Sequence, residues 1–155
     1  MISQNKSIRT LPKLKGEQLV LLVVAPYYKD ITQKLVDGAN EVLSSVGVKV
    51  DKINVPGALE IPTAIRLGSD KFTGFVALGC VIRGETSHYE TVTKDSSRSL
   101  SLLGIQGLCI GNGILTVENH QQAIERADPA GQDKGGDAAE AAIRLMAIKE
   151  QFKTS

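Results

Sequence analysis

Gly84-Glu85-Thr86-Ser87-His88 gathers within five residues the parts of an anion site with a proton shuttle beside it. Gly84 lets the backbone turn tightly. Thr86 and Ser87 bring hydroxyls to the start of an expected helix, where free N–H groups and the helix dipole favour an anion, phosphate most naturally. His88, on the first turn, places an imidazole where it can carry a proton to or from a group bound there. The plainer alternative is a capping box between Ser87 and Glu90 followed by a surface histidine. The local residues leave both readings open.

Other candidates are single residues with plain alternatives. Tyr27 and Tyr28 offer a planar ring for stacking on a planar substrate, or mere surface packing. Glu60, near the start of a short helix, is an acceptor for hydroxyls or a ring N–H, or is placed there by the dipole alone. Arg126 and Lys134 flank a non-helical stretch, 128–133. Charges at such a break are commonly solvated, and a cation near a helix C-terminus is favoured without any ligand.

The elements that must position these residues alternate. Leu19–Ala25 is a continuous apolar run of strand length, as in a strand buried on both faces. Asp30, with Gln33 three residues on, caps a helix whose apolar positions run from Ile31 to Val46, and Gly47 ends it. Residues 48–53 alternate as a second strand, followed by a short helix over 58–67. Phe75–Ile82 is a third strand, again apolar on both faces, and His88–Leu103 a helix. Leu108–Ile110 reads as a short fourth strand ending in a Gly111-Asn112-Gly113 turn. Thr116 then caps a helix carrying Ala123, Ile124 and Ala127. The last helix spans 134–152, with Ala138, Ala142, Leu145, Met146 and Phe152 on its apolar stripe. Four strand–helix repeats predict one three-layer α/β domain over 1–155, a flavodoxin-like four-stranded parallel sheet with helices on both faces. Residues 1–17, polar and basic, are expected to be a solvated tail or an arm. Ligands bind beyond the carboxyl ends of such strands, so the loops after the four strands are expected to share one rim.

Composition narrows the classes. Lys plus Arg is 18 and Asp plus Glu 17, a net charge of +1, without the basic excess of a nucleic-acid binder. The apolar runs fall far short of the ~20 residues of a membrane span. Cys80 and Cys109 lie inside apolar runs, with no zinc spacing, and read as buried free thiols of a reducing compartment. The polar start, with no apolar stretch, is not a secretory signal. The cytoplasm is the expected location.

Four segments carry a resemblance. Val55-Pro56-Gly57-Ala58-Leu59-Glu60-Ile61-Pro62 and Ala77 to Tyr89, containing Arg83-Gly84-Glu85-Thr86-Ser87-His88, are two of them. Gly113 to Arg126 and Asp133-Lys134-Gly135-Gly136 are the others. In order and spacing, from about residue 18 to 150, they resemble the lumazine synthase family. The resemblance implies condensation of 5-amino-6-(D-ribitylamino)uracil with 3,4-dihydroxy-2-butanone 4-phosphate to 6,7-dimethyl-8-ribityllumazine, phosphate and water, the penultimate step of riboflavin synthesis. It implies no cofactor and no metal. By similarity, Tyr27 stacks on the pyrimidine, Ala58, Leu59 and Glu60 hold the ribityl chain, and Cys80, Val81 and Ile82 present backbone groups to the pyrimidine edge. Gly84, Glu85 and Thr86 cradle the phosphate with Arg126 and Lys134. His88 is the proton donor and acceptor.

The chain departs from the family at three points. Pro26-Tyr27-Tyr28 stands where Arg-Phe-Asn is frequent, Leu59 where Phe is common, and Asn112 where a Phe covers the substrate from a neighbouring subunit. The resemblance further implies sites between subunits of a ring of five. Asn112, Arg126 and Lys134 would come from the neighbour, and the 1–17 arm would lie on an adjacent sheet. A shell of twelve rings is the larger form known in the family, and a free pentamer is expected here. The rival reading is a non-catalytic flavodoxin-like module that binds a flavin or lumazine, which would not need His88.

Overall fold

The apolar run at the start becomes β1 (Leu19–Val24), buried throughout except at Leu19. The computed structural model describes residues 8–153. β2 (Lys49–Asn54) is mostly exposed, as an edge strand should be. β3 (Gly74–Ile82) is buried from Gly74 to Cys80, and β4 is Ile110–Val117. All pairings are parallel, in the order β2-β1-β3-β4. The chain goes from β1 outward to β2 and then returns to the other side of β1, so the strand order reverses between β1 and β3. An open parallel sheet binds its ligand in the crevice beyond such a switch point.

Helices cover both faces. α1 (Lys29–Ser45), α4 (His120–Ala127) and α5 (Lys134–Lys153) pack over Val20, Leu22, Val24, Val76 and Leu78. α2 (Ile61–Leu67) and α3 (His88–Ile105) cover Leu21, Val23, Phe75 and Ala77. Alternation along β1 sends odd and even residues to opposite layers, which is why its sequence is apolar without interruption.

Several expectations are corrected. Gly111, Asn112 and Gly113 are not a turn; they lie inside β4, which runs on for eight residues. The glycines mark a close approach rather than a bend. A Cβ at Gly111 would sit 2.6 Å from the carbonyl carbon of Ala138, and one at Gly113 3.0 Å from the Ala138 Cβ. Thr116 is therefore a strand residue, and Asn119 caps α4, accepting from the N–H of Gln122 at 2.9 Å. Asp30 lies in the first turn of α1 behind Tyr28 at the cap. Ser87 makes no side-chain cap bond, its backbone (φ −72°, ψ 0°) not being the extended one a capping side chain needs, and the Glu90 carboxylate turns to Arg83. On α5, Ala138, Ala139, Ala142, Ile143 and Met146 are buried, whereas Leu145 and Phe152 are exposed.

Residues 8–17 of the basic N-terminal segment run along the chain's own α5. Arg9 reaches Asp133, Asp137 and Glu140. Arg144 donates to the Thr10 carbonyl at 2.7 Å, and Leu11 and Leu14 pack on the core. The part of that segment ahead of residue 8 lies outside the described residues. Among the described residues, no helix is long and apolar enough to cross a membrane.

Candidate active site

The loops beyond β1, β2 and β3 flank the switch point. After β1, Tyr27 is exposed while Tyr28 turns inward, their rings edge to face at 4.9 Å. After β2, Ala58–Glu60 form a single 3₁₀ turn that packs against β3 and α3, with Ala58 buried and Leu59 and Glu60 exposed. Cys80, Val81 and Ile82 end β3, where the strand emerges from the core and burial falls from full to partial.

Gly84, Glu85, Thr86, Ser87 and His88 are all exposed. The His88 backbone N–H donates to Thr86 Oγ1 at 3.4 Å, while the imidazole at the first residue of α3 stands in solvent. This puts free helix N–H groups, a hydroxyl and an imidazole on one short arc, the geometry of an anion site with a proton carrier.

Arg83 holds that arc in place. Its guanidinium bonds Glu90 in the first turn of α3 and Glu118 just past β4, the latter at 2.9 Å, and lies 4.2 Å from the Tyr89 ring centre. The hydrogen bond to Glu90, then the one to Glu118, drives the Arg83 pKa upward against some desolvation, and the same bond lowers that of Glu90. Arg83 is thus matched internally by two carboxylates and is not a free cation for a ligand. Sequence spacing had singled out the loop but not this residue; a carboxylate seven positions on, across a turn, gives no periodic signal.

Cys80 is not a nucleophile here. Burial, with Asp30 nearby, pushes its thiol up to about 12, so it stays protonated near neutrality and only its backbone is available. Burial also raises Tyr28, aided by Tyr27 and Cys80, and raises Cys109.

Asn112, Arg126 and Lys134 are brought together, but elsewhere. They line a groove of about 350 Å³ along the outer edge of β4, with Asp137 and Ala138. None of Tyr27, Ala58–Glu60 or the 83–88 loop lines it. Asn112 Oδ1 accepts the Ile114 N–H at 3.0 Å, which satisfies one outward-facing donor of the edge strand. Arg126 Nη1 rests on the Gln122 carbonyl at 3.3 Å. Within one chain, then, Tyr27, Glu60 and His88 form one set, and Arg126 and Lys134 another.

An open parallel α/β sheet with an aromatic ring, a carboxylate and a helix N-terminus at its switch point defines the class of α/β proteins whose small-molecule sites lie beyond the strand ends. Residues 17–150 match the profile of the 6,7-dimethyl-8-ribityllumazine synthase family. Proteins carrying that name in Jannaschia sp. (strain CCS1) and Sphingopyxis alaskensis are 49% and 50% identical to the chain. These alignments cover 92% and 86% of this chain and 81% and 96% of the relatives. The protein of that name in Novosphingobium aromaticivorans is 51% identical, over 85% of this chain and 96% of its own. This chain belongs to the 6,7-dimethyl-8-ribityllumazine synthase family.

Proposed function

We propose that the chain condenses 5-amino-6-(D-ribitylamino)uracil with 3,4-dihydroxy-2-butanone 4-phosphate to 6,7-dimethyl-8-ribityllumazine, at sites shared between two copies. The observation that carries this reading is the division of labour just described. The rim set offers a ring, a carboxylate, an anion loop and an imidazole, with its Arg83 already paired to two carboxylates, and the β4 groove offers Arg126 and Lys134.

In this reading Tyr27 stacks on the pyrimidine, whose edge meets the backbone of Cys80, Val81 and Ile82. Ala58, Leu59 and Glu60 hold the ribityl chain, with Glu60 accepting its hydroxyls. The phosphate sits on Gly84, Glu85 and Thr86 against the neighbour's Arg126 and Lys134, and the neighbour's Asn112 closes the pocket with an amide. The 5-amino nitrogen attacks the ketone carbon, and one water leaves as the imine forms. His88 takes the proton from C3, and the electron pair left there expels phosphate from C4. The enol so formed is reprotonated at C4, giving a methyl group and a carbonyl. The ribitylamino nitrogen attacks that carbonyl, and a second water leaves as the ring closes. Holding both reactants together supplies most of the acceleration; His88 adds about 10²-fold.

The same reading makes the protein a homo-oligomer, with a free pentamer as the assembly and a sixty-subunit shell as the larger alternative, acting in the cytoplasm. Complementation tests the shared site. His88→Ala and Arg126→Ala subunits, each impaired alone, are unfolded and refolded together. Mixed rings should regain turnover, because some sites then draw a good half from each subunit. No recovery in mixed rings of native size, as read by sedimentation, would put both halves on one chain.

A further inference from the structure

The cations of the groove have a carboxylate among them. Asp137, one turn into α5, lines the groove with Arg126 and Lys134, and its Oδ2 lies 3.4 Å from Lys134 Nζ. A free carboxylate there would oppose phosphate twice, by repelling it and by holding the ammonium it needs. The other oxygen of Asp137, Oδ1, accepts from Arg9 Nη2 at 2.9 Å. That guanidinium also meets Asp133 Oδ2 at 3.1 Å and Glu140 Oε1 at 2.7 Å. Burial works against the charge on Arg9, but the bonds to Glu140, Asp137 and Asp133 outweigh it.

Asp133 ties this cluster to the residue beside it. It is buried, has φ +50°, and its Oδ1 accepts the Gly136 N–H at 3.2 Å, so it caps α5 while its second oxygen is held by Arg9. Lys134 is the first residue of the helix so capped.

We propose that Arg9, from the segment ahead of β1, is a positioning residue for phosphate binding. It shares Asp137 with Lys134, taking Oδ1 and offsetting the carboxylate's charge, which loosens the hold of Oδ2 on the ammonium and its repulsion of the anion, and it fixes the cap from which Lys134 projects. This rests on reading the Arg126–Lys134 groove as the phosphate half of the site.

The test is steady-state kinetics of the full chain with each substrate varied in turn. Arg9→Ala should raise KM for the butanone phosphate about fivefold, the upper range for a partly exposed charge pair, and leave KM for the ribitylaminouracil unchanged. Adding Asp137→Asn to Arg9→Ala should bring that KM back toward wild type, because the unmatched carboxylate is gone. Adding Glu140→Gln should not. A purely structural role for Arg9 would move both KM values together and show no selective rescue. Should Arg9→Ala fail to fold, Arg9→Lys against Arg9→Lys/Asp137→Asn gives the same comparison, since a point ammonium lacks the two separated nitrogens by which the guanidinium spans the three carboxylates. An unchanged butanone phosphate KM, or equal rescue by Glu140→Gln, overturns the proposal. Arg126→Ala separates the two levels: no effect on that KM removes the groove reading itself, whereas a rise with Arg9→Ala inert removes only the role of Arg9.

Discussion

Replacing Gly135 by alanine tests how tightly the groove is built. Gly135 is the second residue of α5, next to Lys134, and packs on α1. A Cβ there would lie 2.8 Å from the carbonyl carbon of Leu35 and 2.9 Å from its Cα. Carbon atoms rest at about 3.5–4.0 Å, so helix and helix must part by roughly 1 Å. The obstacle is backbone inside α1, which no side-chain rotation relieves. Overpacking of this kind costs about 3 kcal/mol, the upper end of the usual range. For a chain of this size that is a fall in Tm of about 6–12 °C. Because α5 carries Lys134 and its cap Asp133, the butanone phosphate KM should rise as well. Thermal unfolding followed by circular dichroism, with kinetics well below the transition, reads both effects. Gly104→Ala is the matched control: it lies on α3 with open space where its Cβ would be, and it should hold Tm or raise it slightly. A Gly135→Ala melt within about 2 °C of wild type would refute the close-packing argument.

Other expectations follow from the site. His88→Ala should lower kcat about 10²-fold with little change in either KM, as a positioned acid–base group implies; a loss beyond about 10⁴-fold would overturn the ranking of proximity above proton transfer. Arg126→Ala should raise KM for the butanone phosphate about 10- to 100-fold, the worth of a hydrogen bond to a charged group, and weaken its dependence on salt. The carboxyl of Glu140 is held below the usual range by hydrogen bonds from Arg144 and then Arg9. The stability this gives is complete above the ordinary glutamate pKa and is lost as pH falls through the lowered one. The protection of residues 8–17 against hydrogen exchange, relative to the intrinsic rate at each pH, should therefore fall as pH drops below that ordinary value, and less steeply in Glu140→Gln.

Much of the frame was legible because the signals were long. β1 and β3 stood out as apolar runs too continuous for anything but strands buried on both faces, and α1 and α5 as periods of 3.6. The rim followed from the parallel topology. β4 was misread because Gly111 and Gly113 serve two physical purposes that look alike in sequence. Here they make room for Ala138 of α5 rather than turn the chain. Capping was misjudged where charged side chains had distant partners: Glu90 went to Arg83 rather than to Ser87, and Asp30 pairs with His120 at 3.2 Å across the fold. Leu145 and Phe152 fell outside the buried stripe because α5 meets the sheet through small residues, Ala138 and Ala142. Arg9 and Asp133 were invisible for a plainer reason: their contact joins segments 124 residues apart.

The most direct test of the central claim mixes the purified chain with the ribitylaminouracil and the butanone phosphate and follows lumazine fluorescence and released phosphate together. The account predicts that both appear in equal amounts, at a rate proportional to protein, and that neither appears at that rate when His88→Ala replaces the wild type. Binding of a lumazine or flavin with no phosphate released would contradict it, and would make the same rim a carrier's pocket rather than an active site.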